Sequence, residues 1–499
     1  MKNWKLITHC IQDERAADLR KLPSAKGIWA PCLSWCERDQ LFYLQFSIMN
    51  SMNARFFDVD NYVITAPDIY GPWSSPVYTH SAGFDPSMLH DDDGKKYIVS
   101  LEWETRDGYH KPGLICAVEY DPGKRHIVGL PKRIWMGGTK RGCIEGPHVY
   151  KKNGYYYLIC AEGGTGYGHA VTVGRSKSIW GPYESDPCNP ILTSTADFDE
   201  MNNDDSRKLN RYNPDSFLQK AGHGSIVETS LGEVYMVHHV GRPFLPELRC
   251  TLGRETAMQK MCWTKDGWLR LWGGGNLAKE VFEASRLPEA AWEKEEERED
   301  FNQRQISLQL YSPRIDPIGF TDLVSRPGWL LMRGQESLSS LNKASLLAHK
   351  LTSLHADAVV KMEFSPEVYQ YYAEICIYYD NMDYILLRKT YSEALRHEVI
   401  DLLRVKNGER TEILDKQIEI GKEPVWFQVS VRERRTFFSW SVDGRNFSLI
   451  GPDFDTSEFS DEFCENGEFT GTFLGFYCVD ALLHEKTAAF DYFEYRERD

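Results

Sequence analysis

The sequence predicts an all-β protein: a β-propeller whose first blade is incomplete, followed by an antiparallel β-sandwich. Three observations carry this reading. A strand–turn–strand unit recurs four times before residue 240, period-two alternation of apolar and polar residues returns beyond residue 301, and long helical periodicity is absent throughout. With 499 residues, 42 % of them hydrophobic and 13 % aromatic, the chain is long enough for two or more cores.

The four copies begin at Trp29-Ala-Pro-Cys-Leu-Ser, Phe84-Asp-Pro-Ser-Met-Leu, Glu145-Gly-Pro-His-Val-Tyr and His223-Gly-Ser-Ile-Val-Glu. Each leads to an aromatic-aliphatic strand: Leu41-Phe-Tyr-Leu, Lys96-Tyr-Ile-Val, Tyr155-Tyr-Tyr-Leu and Val234-Tyr-Met-Val. The tips between them, among them Asp91-Asp-Asp-Gly and Lys151-Lys-Asn-Gly, are turn chemistry, so each copy reads as a hairpin. Their tyrosines Tyr43, Tyr97, Tyr157 and Tyr235 lie 54, 60 and 78 residues apart, a propeller-blade period with insertions. Blades repeat around one axis, so Trp29, Asp85, Glu145 and His223 are expected to converge on one pocket.

Ile69-Tyr-Gly-Pro-Trp-Ser and Ile179-Trp-Gly-Pro-Tyr-Glu read as blade-ending strands. Residues 3–7, Asn-Trp-Lys-Leu-Ile, look like the same element with no hairpin before it. A matching hairpin would lie upstream of Met1, so the expectation is four recognisable blades, a gap, and a tail strand around Trp4 marking the fifth.

Domain organisation follows from a change of character near residue 285. Residues 1–285 are rich in Gly, Trp, Tyr and Pro and form the propeller; 286–300 are a charged linker; 301–499 form the sandwich. Its strands are expected at 358–364, 373–379, 384–388, 426–431, 436–442, 471–479 and 488–495, with turns at Asp443-Gly-Arg-Asn and Lys406-Asn-Gly-Glu.

The net charge of −15 argues against nucleic acid and anionic membrane as partners. There is no apolar signal segment after Met1 and no apolar run of about 18 residues that would span a bilayer. The 12 cysteines are scattered, several in apolar strand contexts, and read as reduced core residues. Cys32 and Cys36 have no second pair at zinc-site spacing. The expected location is cytoplasmic.

The segments Gly27-Ile-Trp-Ala-Pro, Gly83-Phe-Asp-Pro-Ser, Glu145-Gly-Pro-His-Val-Tyr, Ala161-Glu-Gly-Gly-Thr-Gly, Lys220-Ala-Gly-His-Gly-Ser and Leu252-Gly-Arg-Glu-Thr stand in this order. Together they resemble family-43 glycoside hydrolases, in the β-xylosidase branch that joins a five-bladed propeller to a concanavalin-like sandwich. The resemblance covers nearly the whole chain. It implies an exo-acting, inverting hydrolase that releases xylose from the non-reducing end of β-1,4-xylo-oligosaccharides. Such enzymes pair a carboxylic acid that protonates the leaving oxygen with a carboxylate that activates water on the opposite face.

By that resemblance Glu145 is the general acid and Asp85 the carboxylate that orients it and tunes its pKa. The residues alone leave open a strand-end carboxylate for Glu145 and a turn-former before Pro86 for Asp85. The family's general base is an Asp of the first blade, and the sequence does not reproduce its motif: Asp13 and Asp18 lie in a polar stretch, and neither Asp58 nor Asp60 begins an inner strand. The resemblance further assigns Trp29, Phe84 and Trp103 to the sugar subsite, since a pyranose presents C–H faces to aromatic rings. Arg254 matches a substrate-binding arginine, with an ion pair to Glu255 or another acid as the alternative. Thr165, in a glycine-rich turn, offers substrate its hydroxyl or backbone. His223 matches a pocket-floor histidine that in some relatives holds calcium through water; a structural calcium is possible there, and no cofactor is required. Phe473 is the candidate for a sandwich residue closing the pocket, or else an inward-facing strand residue.

Two other functions stay open: an α-L-arabinofuranosidase on the same scaffold, and a non-catalytic carbohydrate-binding pseudoenzyme, because the base is not found. The expected partner is a small oligosaccharide, with a homo-oligomer possible.

Overall fold

In the computed structural model the described residues are 3–12, 14–20, 22–52, 57–103, 113–195, 209–284, 286–466 and 469–498. Asp13 and residue 285 therefore lie outside them. Strands dominate, and the few helical turns are three-residue 3₁₀ segments.

Four antiparallel sheets form the propeller. Blade 1 contains β1 (Gly27–Cys36), β2 (Leu41–Ser51), β3 (Asp58–Ala66) and β4 (Val77–Tyr78). Blade 2 contains β5 (Ser87–His90), β6 (Lys96–Glu102), β7 (Leu114–Asp121) and β8 (His126–Trp135). Blade 3 contains β9 (Glu145–Lys152), β10 (Tyr155–Glu162), β11 (Ala170–Ser176), β12 (Glu184–Ser185) and β13 (Leu192–Thr193). Blade 4 contains β14 (Gln219–Glu228), β15 (Val234–Gly241), β16 (Glu255–Trp263) and β17 (Leu269–Leu271). The four expected hairpins are the first two strands of each blade. Their repeat tyrosines are buried between sheets, at 0–5 % exposure.

Packing joins neighbouring blades because each sheet is apolar on both faces. One buried cluster (Tyr43, Val63, Ile98, Val118) ties blade 1 to blade 2. Another (Val99, Ile115, Leu158, Cys160) ties blade 2 to blade 3, and a third (Ile159, Val171, Met236, Leu269) ties blade 3 to blade 4. Among the described residues no such cluster joins blade 4 to blade 1, and Leu33, Trp35 and Val227 are exposed on β1 and β14.

Two local expectations need correction. Residues 3–7 form no strand: Trp4 is 70 % exposed, Asn3 donates to the Ala290 carbonyl (2.9 Å) and Lys5 lies over the Trp292 ring. The segment runs along the charged linker rather than marking a fifth blade. The following residues Cys10, Ile11, Ala17 and Leu19 cover the far face of blade 1, against Leu44, Phe46 and Ile64. Next, 69–74 and 179–183 are turns rather than strands, and the blade-ending strands β4 and β12 come after them. The Pro in each motif lacks the N–H a ladder needs.

The sandwich packs two antiparallel sheets. One is built around Thr487–Glu497, His355–Glu363, Val425–Arg432 and Arg435–Ser441; the other around Phe473–Asp480, Tyr371–Asp380, Asp383–Ser392 and His397–Lys406. All seven expected strands are present, and Arg298–Glu299, at the end of the linker, already pairs with Phe493 and Glu494. The core between the sheets includes Leu252, which comes from the propeller.

That intrusion marks the domain contact. The loop between β15 and β16 is gripped by sandwich residues 455–466 and 469–472. Thr251 Oγ1 donates to the Thr456 carbonyl (3.1 Å), and Thr472 donates to the Thr251 carbonyl (3.1 Å). Glu462 pairs with the buried Lys220 ammonium and accepts from the Cys250 amide (2.8 Å). Gly253 and Gly471 pass so closely that a Cβ on Gly253 would lie 2.3 Å from the Gly471 nitrogen, and one on Gly471 2.4 Å from the Leu252 carbonyl. Arg254 follows directly, so docking of the sandwich fixes its backbone.

Candidate active site

The repeat fixes the site through the backbone. Ala30, Asp85, Gly146 and His223, which directly precede Pro31, Pro86, Pro147 and Gly224 of the four copies, all have positive φ, at 41°, 54°, 56° and 52°. A left-handed residue inside a strand breaks the period-two alternation. Consecutive side chains at the head of each inner strand are thereby re-aimed at the axis. The strained values at Ala30, Asp85 and His223 cost about 1 kcal/mol or more each, and the interlocking blades hold them.

The inner strands β1, β5, β9 and β14, with β15, enclose an axial cavity of about 750 Å³. Asp85, Gly146, His148, His223 and His239 line it. Glu145, the first residue of β9, is buried at 6 % exposure beside them. The loop before it is anchored by Arg141, whose guanidinium is wholly buried and donates to the Gly168 carbonyl (3.0 Å) and Thr193 Oγ1 (3.1 Å). Asp85 Oδ2 accepts the Gly146 amide (3.0 Å), tying the two carboxyl-bearing segments together. Gly146 itself is required: a Cβ there would lie 2.6 Å from His223 Nε2.

Burial, and after it the neighbouring Asp85, push the Glu145 carboxyl up to about 8, with Arg254 opposing both. Asp85 is also raised by burial, against the pull of His223 and the Gly146 N–H. Two carboxyls this close do not both ionise readily, and Glu145 keeps the proton at neutral pH. Its Oε1 has no hydrogen-bond partner and faces His169 Nε2 at 3.9 Å. His169 Nδ1 lies 3.2 Å from the Lys220 carbonyl, which can only accept, so Nδ1 carries the hydrogen and Nε2 presents a lone pair to Glu145. Burial and the charge of Arg254 hold His169 neutral, well below its ordinary value. A neutral acceptor facing a protonated acid is a stable arrangement. Glu162, seventeen residues on, is the contrast. It too is buried, but it accepts from the Gly138 and Thr139 amides and from the Thr139 and Thr172 hydroxyls, so it is a structural carboxylate.

Arg254 reaches across the blades. Its Nη2 donates to the Thr165 carbonyl, its Nε faces Asp461 Oδ2 of the sandwich at 3.7 Å, and its guanidinium lies 4.8 Å from the Phe469 ring. Its acid partner is thus Asp461, while Glu255 pairs with Arg242. Thr165 serves Arg254 through its backbone. Trp29 packs edge-on against Phe84 (5.4 Å), and Trp103 against Phe84 (5.7 Å) and Phe57 (5.6 Å). Phe84 is 5 % exposed, so it backs the half-buried tryptophans rather than offering a sugar its own face.

Other expectations part from the structure. Phe473 lies in a separate cleft with Tyr311 and Tyr378, and Phe469, four residues earlier, is the aromatic that reaches Arg254. His223 stacks on His239 (5.3 Å) and faces His148 (6.4 Å); burial pushes those two rings down to about 3. Imidazoles are poor donors for a hard cation. Among the described residues no group of three or more His, Cys, Asp or Glu could hold a metal ion, so the residues present do not fit a calcium site of their own. Asp85 is the one carboxylate lining the cavity among the described residues. Asp58 is exposed on β3, Asp60 accepts from Ser81 (2.7 Å), and Asp18 pairs with Arg20 at the surface. Sequence reasoning missed His169, Asp461 and Phe469. For His169 the signal was its place directly after the glycine-rich turn, at the head of β11.

A buried acid that holds its proton, a second carboxyl beside it and a guanidinium whose charge reaches that acid define a site for general-acid cleavage of a polar substrate. Comparison with known proteins names the class. The family model "Glycosyl hydrolases family 43" matches residues 1–269, and "Beta xylosidase C-terminal Concanavalin A-like domain" matches 298–496. The chain belongs to glycosyl hydrolase family 43. It is 36 % identical to "Xylosidase/arabinosidase 43B" of Humicola insolens, over 99 % of this chain and 90 % of that protein. It is 35 % identical to "Beta-xylosidase" of Bacillus subtilis, over 99 % and 91 %. The solved xylan β-1,4-xylosidase from Bacillus halodurans superimposes with a TM-score of 0.92 at 40 % identity, covering 99 % of this chain and 92 % of that one.

Proposed function

We propose that this glycoside hydrolase is an exo-acting β-xylosidase on short β-1,4-xylo-oligosaccharides, with Glu145 as general acid. The observation that carries the reading is the Glu145 carboxyl, buried, held up to about 8 and left with a free oxygen beside Asp85. Glu145 gives its proton to the leaving oxygen as the glycosidic bond breaks, and water bonds to the anomeric carbon from the opposite face, which inverts it. Asp85 keeps Glu145 protonated between turnovers. Arg254 offers a fork of donors to sugar hydroxyls, and Trp29 and Trp103 offer ring faces. Phe469 is brought to the Arg254 guanidinium by the sandwich, and an aromatic supplied there by the second domain favours single terminal sugars over polymer. No described residue is assigned to take the proton of the attacking water. A missing base commonly lowers rates about 10²–10⁴-fold. Its twelve free cysteines support a reducing, cytoplasmic location.

The test is leaving-group dependence. Glu145→Gln is expected to abolish hydrolysis of xylobiose and to spare 2,4-dinitrophenyl β-D-xyloside, whose leaving group needs little protonation. Equal losses on both would remove Glu145 from the acid role. The double name of the Humicola relative favours a second reading, an α-L-arabinofuranosidase. Comparing kcat/KM on 4-nitrophenyl β-D-xylopyranoside and α-L-arabinofuranoside decides between them.

A further inference from the structure

We infer that Asp461, a residue of the sandwich domain, is a positioning residue for the catalytic centre: it holds the Arg254 guanidinium back from Glu145, which makes the second domain part of the acid's electrostatic setting. The inference rests on the reading of Glu145 as the general acid.

The geometry is specific. Asp461 is 2 % exposed, and its Oδ1 accepts the Tyr379 hydroxyl (2.8 Å) from near the end of the sandwich strand Tyr371–Asp380. Its Oδ2 and Arg254 Nε face each other at 3.7 Å, and neither atom has a hydrogen-bond partner. Two opposite charges so buried, each with an unused polar atom turned to the other, attract strongly because little water screens them. The remaining tethers of Arg254, the Thr165 carbonyl and the Phe469 ring, carry no net charge. Asp461 is thus the one acid of the sandwich paired with Arg254 among the described residues.

The other charges near the pair are already engaged or distant from the exchange. Lys220 is paired with Glu462, and Lys350 reaches toward Asp461 while donating to the Arg254 carbonyl (3.4 Å). Glu145 is faced by Asp85, by neutral His169 and by Arg254; the field of Arg254 also reaches His239. Removing the Asp461 charge therefore acts on Glu145 in one direction. The Arg254 charge is no longer balanced by its partner, and the guanidinium is released toward the carboxyl. This favours ionised Glu145.

The experiment follows the Glu145 carboxyl directly, by ¹³C NMR of the full chain labelled at glutamate Cδ, with the resonance assigned by its loss in Glu145→Gln. Wild type is expected to titrate near 8. Asp461→Asn is expected to lower the midpoint by about one unit, roughly a tenfold rise in the acid dissociation constant. Asp461→Glu, which keeps the charge, is expected to restore it. Should Asp461→Asn fail to fold, Asp461→Ser carries the same expectation. A folded variant with an unchanged midpoint overturns the inference, as does one in which only the thermal midpoint moves. Hydrolysis is not read, so a chain that fails to cleave xylosides leaves this result standing. Conversely, an unchanged titration leaves the acid role of Glu145 intact.

Discussion

Replacing Glu145 by Gln is expected to stabilise the protein at neutral pH while removing its acid. The magnitude follows from the proton balance. In the unfolded chain a glutamate ionises near its ordinary value of 4.5, whereas in the fold Glu145 ionises at about 8. Below 4.5 both states hold the proton, and the carboxyl contributes its full native stability. Between 4.5 and 8 the unfolded state releases the proton and the folded state does not. Stability is then lost at about 1.4 kcal/mol per pH unit, reaching about 3 kcal/mol by pH 7 as an order of magnitude. Gln carries no such penalty. It is isosteric, and its amide can donate to His169 Nε2, which has no partner. The assay is differential scanning calorimetry of wild type and Glu145→Gln from pH 4.5 to 8. The two are expected to melt together at the acid end, and the variant's propeller transition is expected to lie several degrees higher by pH 7. Parallel curves across the range, or a less stable Gln variant at pH 7, would refute the argument that the fold holds a proton on Glu145.

Activity should fall as pH rises through about 8, because the acid must be protonated; a pH profile of kcat/KM on xylobiose checks this, and aryl substrates with good leaving groups should show a weaker fall. Arg254→Ala is expected to lower kcat/KM roughly 10²-fold or more through lost charge-assisted hydrogen bonds, read by initial rates at low substrate. Proton NMR of the first product should show α-xylose from a β-linked substrate, and initial β-xylose would mean a covalent intermediate. At the domain contact, Lys220→Met alone should cost about 3–5 kcal/mol by removing the cation that balances the buried Glu462 charge. Pairing it with Glu462→Leu should recover much of that loss, as measured by denaturant unfolding.

The sequence by itself determined whatever depends on neighbours along the chain. Turn residues between alternating runs placed all four propeller hairpins and seven sandwich strands, and the copies of one unit marked Asp85, Glu145 and His223 as residues of a common axis. Local pattern went astray where proline interrupted it, at 69–74 and 179–183, and at residues 3–7, which follow the linker instead of pairing.

Tertiary structure alone decided which side chains meet. Phe469 and Phe473 are four residues apart, and simple alternation gives no reason to prefer one. Positive φ at Phe469 (61°) and Gly471 (78°) breaks the alternation, turning Phe469 to Arg254 and Phe473 to Tyr311. The same holds for the acid's environment. His169 meets Glu145 because β9 and β11 flank β10 in one blade, and Asp461 meets Arg254 across 207 residues because one domain docks on the other. A carboxyl's proton affinity is set by burial and by charges within a few ångströms. Those distances are fixed by packing between elements remote in the chain, and no local sequence pattern encodes them.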